Sequence, residues 1–271
     1  MKKNKGFTLI ELMLSLAITG FIVLLLFSIL NFQQKSQKHQ EQLIDMVEDY
    51  RWMVNTIGGN IKVAGYGAPK ASLSSWISWK ASITSPVMIT DGGSAPDSII
   101  IVSAFGKPYP YDSSAPRLSA TASAGTTTIQ INDGSLFNTT TKSLIFIGGY
   151  ENAVIKSISG NTLTIDTNLS ITGNQGIQIS YVAGAPVEIV KTVTYHINNG
   201  NITSIDDDGT EEIITENVED LQFSISGNMV SFSARLKSKY PEKGYNDGVY
   251  NDGYMRISQN NSVLVRNNLF N

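Results

Sequence analysis

Acidic side chains occur in two clusters that have the oxygen chemistry of calcium ligands. The first is the run Asp206–Asp208 ahead of Gly209, and the second lies in the near repeat YNDGVYNDGY from Tyr245 to Tyr254. Calcium prefers several oxygen ligands from flexible loops, so Asp247 and Asp252 are candidate ligands in the second cluster. Asn-Asp-Gly is also ordinary turn chemistry, and neither cluster has the ligand spacing of an EF-hand loop. The turn interpretation is therefore favoured over a calcium site.

The chain offers little else for catalysis or metal binding. His39 and His196 are its only histidines, and neither has a companion at the spacing of metal ligands. The chain has no cysteine, which excludes disulfide bonds, thiolate metal sites and cysteine nucleophiles. Its motifs include no set of nucleophile, base and orienting group and no phosphate-binding loop. The sequence predicts a structural protein without a cofactor rather than an enzyme.

Composition and charge favour an exported β-rich protein. Charged residues make up 16% of the chain and the formal net charge is −3. Ile, Thr, Ser, Asn and Gly are frequent, which suits β structure. Because no run of Lys or Arg is interleaved with aromatic residues, direct binding to nucleic acid is not expected.

Glu11 stands at the edge of a long apolar run. From Leu12 to Leu30 the chain carries no charge. A helix of that length is about 28 Å long, which matches the thickness of a hydrocarbon core. A charge in hydrocarbon costs several kcal/mol without a partner, and polar residues in membrane segments are functional candidates. Glu11 therefore either lies in the headgroup region or has a functional partner.

Basic residues ahead of the apolar run predict its orientation. Lys2, Lys3 and Lys5 place the N-terminus in the cytoplasm and everything after Leu30 outside it. The run passes into residues 31–35 without the small-residue cleavage site of a secretory signal, so the helix is expected to be retained.

The segment KGFTLIEL at residues 5–12 closely resembles the prepilin signal of type IV pilins and type II secretion pseudopilins. The resemblance implies that a prepilin peptidase cuts after Gly6 and methylates the new amino group of Phe7. It also implies that Glu11 pairs, during assembly, with the N-terminal amine of a neighbouring subunit in the filament core. Because breaking a buried ion pair typically costs about 3 to 5 kcal/mol, such a pair can set the axial register.

An apolar stripe continues beyond the membrane segment, which predicts one helix from Phe7 to about Ala64. The stripe has three- and four-residue spacing and consists of Leu43, Met46, Val47, Tyr50, Met53, Val54, Ile57, Ile61 and Ala64. The glycine-rich segment from Gly65 to Pro69 is expected to end the helix.

After Pro69 the pattern changes to short β runs separated by turn signals. The predicted strands are Ser98–Ala104, Thr126–Ile131, Ser143–Ile147, Ala153–Ile158, Thr162–Asp166, Ile177–Val182, Val187–Ile197, Val218–Ser226, Met229–Leu236 and Val263–Leu269. The sequence NNGN from Asn198 to Asn201 is a hairpin signal. Residues 121–181 are interpreted as an inserted β subdomain.

Three further segments resemble PilW-type minor pilins: IGGNIKVAGYGAP, VEDLQFSI and VSFSARLKSK. In those proteins a helix that ends in an Ala-Gly-Tyr segment precedes a large β-rich head. The implied organisation is α+β: a leader at residues 1–6, a stalk helix at 7–64 with its transmembrane part at about 12–30, and a β-rich antiparallel head at 65–271.

The resemblance implies a minor pilin that helps initiate pilus assembly and sits at or near the filament tip. The chain would first occupy the inner membrane with its head outside the cytoplasm, and later the pilus at the cell surface. The implied partners are minor and major pilins, the prepilin peptidase, the inner-membrane assembly platform and a tip adhesin. The alternatives are a J-type pseudopilin of type II secretion, a competence pilus subunit, and a membrane-anchored periplasmic binding or sensor protein.

Overall fold

The computed structural model describes residues 8–69, 73–80, 82–104, 116–242, 244–246 and 248–267. The chain divides into two compact units. The first consists of Met1–Glu48 and Ser238–Met255, and the second of Asp49–Lys237 and Arg256–Asn271.

The described residues form one long helix followed by a β-rich region, so the predicted α+β class with an antiparallel β head is confirmed. The helices are α1 (Leu9–Val63) and α2 (Leu73–Trp76), with single 3₁₀ turns at Ser78–Lys80 and Gly134–Leu136. The strands are β1 (Val87–Thr90), β2 (Ser98–Ala104), β3 (Thr128–Gln130), β4 (Leu144–Ile147), β5 (Glu151–Ser159), β6 (Thr162–Asp166), β7 (Val187–Asn198), β8 (Asn201–Ile205), β9 (Glu211–Thr215), β10 (Val218–Ser226), β11 (Met229–Lys237) and β12 (Arg256–Leu264).

Within the described residues, nine strands form one sheet and three form another. The larger sheet has the order β1-β2-β7-β4-β5-β6-β3, with β8 on β7 and β9 on β8, and the smaller sheet has the order β10-β11-β12. All of these pairs are antiparallel. The 12-residue strand β7 links β4, β2 and β8 in the larger sheet. Its residues 187–189 pair with β4, residues 190–195 with β2 and residues 194–198 with β8.

The main core of the second unit lies between the last turns of α1 and the strands. Met53, Ile57 and Ile61 recur every four residues and are completely buried. They pack with apolar residues of β2, β7, β10, β11 and β12. The fourfold spacing places the three side chains on one helix face, which is why this part of α1 is amphipathic.

Residues between β2 and β7 build a separate core. Its cluster of buried side chains runs in sequence from Leu118 to Val187 and includes Ile145, Ile155 and Tyr181. The predicted insertion at residues 121–181 falls inside this stretch. The stretch belongs to the second unit, and its strands β4, β5, β6 and β3 join the same sheet as β2 through β7.

Two predicted strands differ from the structure. Ile177–Val182 forms no strand: the only bridge assigned to this described segment is Ala122↔Tyr181. Gly176 packs so closely on Gly125 that a Cβ atom would lie 2.2 Å from the Gly125 carbonyl oxygen, and the Ile177 backbone bonds to Gly125 and Thr126 without forming a regular ladder. The last strand is Arg256–Leu264, whereas the sequence predicted Val263–Leu269. Most residues in the first part of this strand are polar, so the sequence there lacks the apolar signal of a strand.

The helix exit depends on a glycine at position 67. Gly67 has a φ of +67°, and a Cβ atom there would lie 2.7 Å from the Cβ of Ala104 and 2.9 Å from the Phe146 ring. Both the left-handed backbone and the close packing require glycine. The predicted end of the helix near Ala64 is confirmed, since α1 ends at Val63.

Tyr195 of β7 connects the larger sheet to α1 through a polar contact in the core. Its side chain is 1% exposed, and its hydroxyl oxygen accepts a hydrogen bond from the Asn60 amide nitrogen Nδ2. Burial raises the pKa of Tyr195 to about 12, against an ordinary value of 10. At pH values between 10 and 12, Tyr195 is therefore neutral in the folded state and ionised in the unfolded chain.

We expect the free energy of unfolding to fall as the pH rises from 10 to 12. The stabilisation that Tyr195 contributes is fully present below pH 10. It is lost as the pH rises through the raised pKa, a change of roughly 2 to 3 kcal/mol in the free energy of unfolding. Urea unfolding of the full chain in detergent at a series of pH values measures it. Tyr195→Phe removes this part of the pH dependence, whereas Tyr240→Phe, at an exposed tyrosine, keeps it. Equal slopes in the wild type and Tyr195→Phe would contradict the assignment.

Candidate functional site

The first part of α1 is apolar on all sides and exposed. Its large apolar side chains between Leu9 and Phe32 are exposed by 42% at Val23 to 77% at Leu9 and Ile10. By length and composition α1 can cross a membrane, and none of the apolar window is buried inside the protein. Such a surface fits anchoring in a membrane.

Two of the three hydroxyl groups inside this apolar surface are satisfied by the helix itself. Ser15 Oγ donates to the Leu12 carbonyl oxygen at 2.8 Å, and Thr19 Oγ1 donates to the Ser15 carbonyl oxygen at 2.8 Å. Both bonds bring the polar group back onto its own backbone, so neither hydroxyl needs a partner in hydrocarbon.

Thr8 and Glu11 form a capping box at the start of α1. The Thr8 hydroxyl oxygen accepts a hydrogen bond from the Glu11 backbone N–H at 3.3 Å. In return, Glu11 Oε2 accepts from the Thr8 backbone N–H at 2.9 Å and from the Thr8 hydroxyl at 3.0 Å. This reciprocal pair satisfies donors that a helix N-terminus otherwise leaves open.

The cap leaves part of the Glu11 carboxylate available. Both bonds from Thr8 reach Oε2, and within the described part of the chain Oε1 has no hydrogen-bond partner. A carboxylate oxygen in this position can accept a charge-assisted hydrogen bond from an ammonium group. Thr8 thus binds the carboxylate through Oε2, while Oε1 has no partner among the residues that the structure describes.

The first acidic cluster is held by contacts within the protein. Asp206 Oδ1 accepts from the backbone N–H groups of Asp208 and Thr210, both at 3.0 Å, which is an Asx-type turn. The buried Asp207 carboxylate accepts from the Thr192 backbone N–H at 2.7 Å and lies 3.4 Å from Lys80 Nζ. These contacts support the turn interpretation of the sequence.

The third member of this cluster is also paired. Asp208 Oδ2 lies 2.6 Å from Lys142 Nζ, and Asp208 Oδ1 accepts from the Thr141 hydroxyl at 2.9 Å. The hydrogen bond from Lys142 is the main cause that lowers the pKa of Asp208. Lys142 and Thr141 therefore account for both oxygens of this side chain.

The second acidic cluster belongs to a loop of the first unit. Asp252 Oδ1 accepts from the Tyr254 backbone N–H at 3.1 Å, and Asp247 lies outside the described residues. No group of three or more His, Cys, Asp or Glu side chains able to hold a metal ion occurs among the residues that are described. Calcium binding by Asp247 and Asp252 stays a prediction.

Residues of the same loop contact α1 through hydrogen bonds and a ring contact. His39 Nδ1 lies 2.9 Å from Glu242 Oε2, and Gln42 Oε1 accepts from the Tyr240 backbone N–H at 3.4 Å. The His39 ring also contacts the Tyr245 ring, with a centroid distance of 6.2 Å. His39 thus connects two segments of the first unit.

The predicted site residues are only partly within the described chain. Gly6 and Phe7 lie outside it, and Glu11 lies within it at the start of the exposed apolar helix. His196 lies on β7, where its Nε2 is 3.5 Å from the Thr203 hydroxyl. The interpretation of the sequence missed Thr8, although Thr-x-x-Glu ahead of an apolar run is a capping-box signal.

Comparison with family models places residues 1–27 in the prokaryotic N-terminal methylation motif. The chain thus carries a type IV pilin-like prepilin signal, which fits the exposed apolar helix that follows. No curated protein and no solved structure matches the chain.

Replacing Thr8 with Ala should loosen the first turn of α1. The change removes the acceptor of the Glu11 N–H and one donor to Glu11 Oε2, and loss of such a cap costs about 1 kcal/mol. Amide hydrogen exchange of Glu11 and Leu12 in detergent micelles should become about fivefold faster, which corresponds to that free energy. Thr19→Ala, at a threonine outside the cap, is the matched control. Unchanged exchange in Thr8→Ala would show that the cap does not form in solution.

Proposed function

We propose that this chain is a PilW-like minor pilin, a structural subunit that helps initiate assembly of a type IV pilus and sits at or near its tip. The observation that carries the proposal is Glu11, a carboxylate in the prepilin signal at the start of an exposed apolar helix. A structural role also agrees with the contacts of the acidic clusters.

Processing prepares the partner of Glu11. Cleavage after Gly6 removes Lys2, Lys3 and Lys5 and changes the formal net charge from −3 to −6, since three positive charges are lost and one α-amine replaces another. The new amine on Phe7 is the cation that a neighbouring subunit can offer. A membrane-embedded carboxylate is costly without a counter-charge, so this pairing favours packing of two subunits side by side.

The capping box makes Glu11 suited to this contact. Thr8 binds Oε2 and limits the rotation of the side chain, while Oε1 has no partner within the described chain. An incoming amine can therefore bind without breaking the cap of the same helix. Preorganisation of this kind reduces the entropy that association costs.

The exposed apolar surface of α1 supports the proposed location. Before assembly this surface lies in the inner membrane, with the β-rich region outside the cytoplasm. In the filament, helices of minor and major pilins replace the lipid around it. The other proposed partners are the prepilin peptidase, the assembly platform and a tip adhesin.

Processing is tested by mass spectrometry of the membrane-extracted protein. In cells with an active prepilin peptidase, the mature chain should begin with N-methylated Phe7, because the methylation motif spans the cleavage site. Cells that lack the peptidase provide the control and should retain Met1. An intact Met1 in the presence of active peptidase would contradict the pilin proposal.

Replacing Glu11 with Ala should leave processing intact and strongly reduce incorporation into filaments. The substitution leaves the neighbour's amine without its counter-charge, and loss of one member of a buried pair costs about 3 to 5 kcal/mol. Immunoblots of sheared filaments and membranes measure the two pools. Glu41→Ala, at an exposed glutamate elsewhere on α1, is the matched control. Normal incorporation of Glu11→Ala would show that the pairing is dispensable.

The same fractionation separates a pilus from a secretion system. Recovery of the wild-type protein in sheared surface filaments supports the pilus. Retention in the envelope, together with loss of enzyme secretion when the gene is deleted, would instead assign it to type II secretion.

A further inference from the structure

The loop from Ser238 to Met255 belongs to the same unit as the apolar part of α1. Its two ends lie side by side, since the Ser238 N–H donates to the Met255 carbonyl oxygen at 2.8 Å. Further along the loop, the Glu242 N–H donates to the Gly253 carbonyl oxygen at 2.8 Å. The chain between Glu242 and Gly253 therefore leaves and returns at one place, and its described residues, 244–246 and 248–252, form the loop tip.

Contacts with α1 show the direction in which the loop runs. The Tyr240 N–H donates to Gln42 Oε1 at 3.4 Å, and Glu242 Oε2 lies 2.9 Å from His39 Nδ1. As the loop advances, its partner on α1 thus changes from Gln42 to His39, toward the apolar part of the helix. Tyr245 in the loop tip also contacts the His39 ring. The loop therefore descends along α1 toward the membrane segment.

The covered face of α1 extends almost to the apolar run. Ser36, His39 and Gln42 are half-buried, and their three-residue spacing places them on one helix face. Every described residue in the range 8–35 is exposed. The face that carries the loop is thus covered as far as Ser36, which lies about 9 Å beyond Leu30 at the standard helical rise.

Distances along α1 place lipid headgroups within reach of the loop tip. The uncharged run ends at Leu30, and His39 lies about 14 Å beyond it. The headgroup region adds about 5 to 8 Å to each side of the hydrocarbon core. Half of the stretch between Glu242 and Gly253 extends up to about 16 Å at the rise of extended chain, which is longer than the remaining gap.

The loop tip presents an apolar and an aromatic side chain to solvent. Val249 is 74% exposed and Tyr250 is 45% exposed. The turn ahead of them is fixed by a hydrogen bond of 2.7 Å from the Gly248 N–H to Asn246 Oδ1. Tyrosine is enriched at membrane–water interfaces, because its ring prefers the apolar boundary while its hydroxyl stays hydrated. This pair of side chains has the chemistry of an interfacial membrane contact.

Charges near the loop tip balance one another. Lys35 and Lys38 are exposed on α1 and lie about 8 and 12 Å beyond the end of the apolar run. Their long side chains can reach lipid phosphate groups. The loop contributes two carboxylates, Asp247 and Asp252, in return. Contact with the bilayer therefore depends on apolar and aromatic groups and does not require anionic lipid.

We propose that the loop tip lies in the headgroup region of the bilayer that anchors α1, with Val249 and Tyr250 in the interface. The chain then has a second membrane contact beside its helix. Because the loop packs on one face of α1, this contact limits the rotation and tilt of the helix in the membrane. The inference rests on membrane anchoring of α1 and not on the pairing of Glu11.

The absence of cysteine from the sequence allows one dye to be placed at a chosen position of the full chain. In phosphatidylcholine vesicles with nitroxide-labelled headgroups, a dye on Val249→Cys should be quenched about as strongly as one on Phe32→Cys, at the end of the apolar segment. Ile44→Cys, at an exposed residue about 21 Å beyond Leu30, is the matched control and should stay bright. Quenching at Val249 no stronger than at Ile44 overturns the proposal.

A substitution in the loop tip tests the aromatic contact. Tyr250→Asp, in the labelled Val249→Cys chain, should reduce quenching to the value of Ile44→Cys, because a carboxylate is costly to move into the interface. Tyr240→Asp, at an exposed tyrosine of the same loop that lies beside Gln42, should leave the quenching unchanged. Full quenching in Tyr250→Asp would contradict the placement of Tyr250 in the interface.

Further outcomes separate this proposal from the assembly role. Glu11→Ala should keep the quenching at Val249, since contact with lipid needs no neighbouring subunit. Loss of quenching at both Val249 and Phe32 would show that α1 is not inserted, and would overturn the membrane anchoring as well. If the dye at Val249 is shielded from water in sheared filaments but not in vesicles, its partner is another subunit and the lipid contact is wrong.

Discussion

A single helix in this protein must satisfy two different surroundings. From Leu9 to Phe32 its apolar side chains are exposed on every side, whereas Met53, Ile57 and Ile61 are buried on one face. In hydrocarbon every backbone and hydroxyl group needs an internal partner, and the bonds of Ser15 and Thr19 to their own backbone supply it. Glu11 is the only charged residue in this part of the sequence. Its carboxylate has a local cap that uses one oxygen, and among the described residues the other oxygen has no hydrogen-bond partner.

The parts of the fold with strong periodicity could be predicted from the sequence. The long helix was expected at residues 7–64 and is described as Leu9–Val63, because its apolar stripe and its glycine-rich exit are local signals. Strands with β-branched alternation, such as β2 and β10, match their predictions. Strand β1, by contrast, was not predicted, and Ile177–Val182 has apolar strand composition but no ladder. The Ile177 backbone instead bonds to Gly125 and Thr126, about 50 positions earlier in the chain, and no periodicity reveals such a partner.

The candidate site shows the same division between local and long-range signals. The Thr8–Glu11 cap is readable in the sequence, because both residues lie within one turn. The partners of the acidic clusters are not: Asp207 is 127 positions away from Lys80, and Asp208 is 66 positions away from Lys142. Three consecutive aspartates resemble a calcium loop until these partners are known. Once they are placed, each carboxylate has a donor within the protein, and the cluster is explained by the packing of a turn against β7 and the segment before β4.

Glu11 lies beside an apolar surface, where water is displaced once lipid or other helices cover the helix, and an unpaired carboxylate is then costly. In the pairing that we propose, the amine of a neighbouring subunit removes this cost. Because removing one member of a buried ion pair is strongly destabilising, the proposal makes incorporation into a filament depend on the neighbour that supplies the amine.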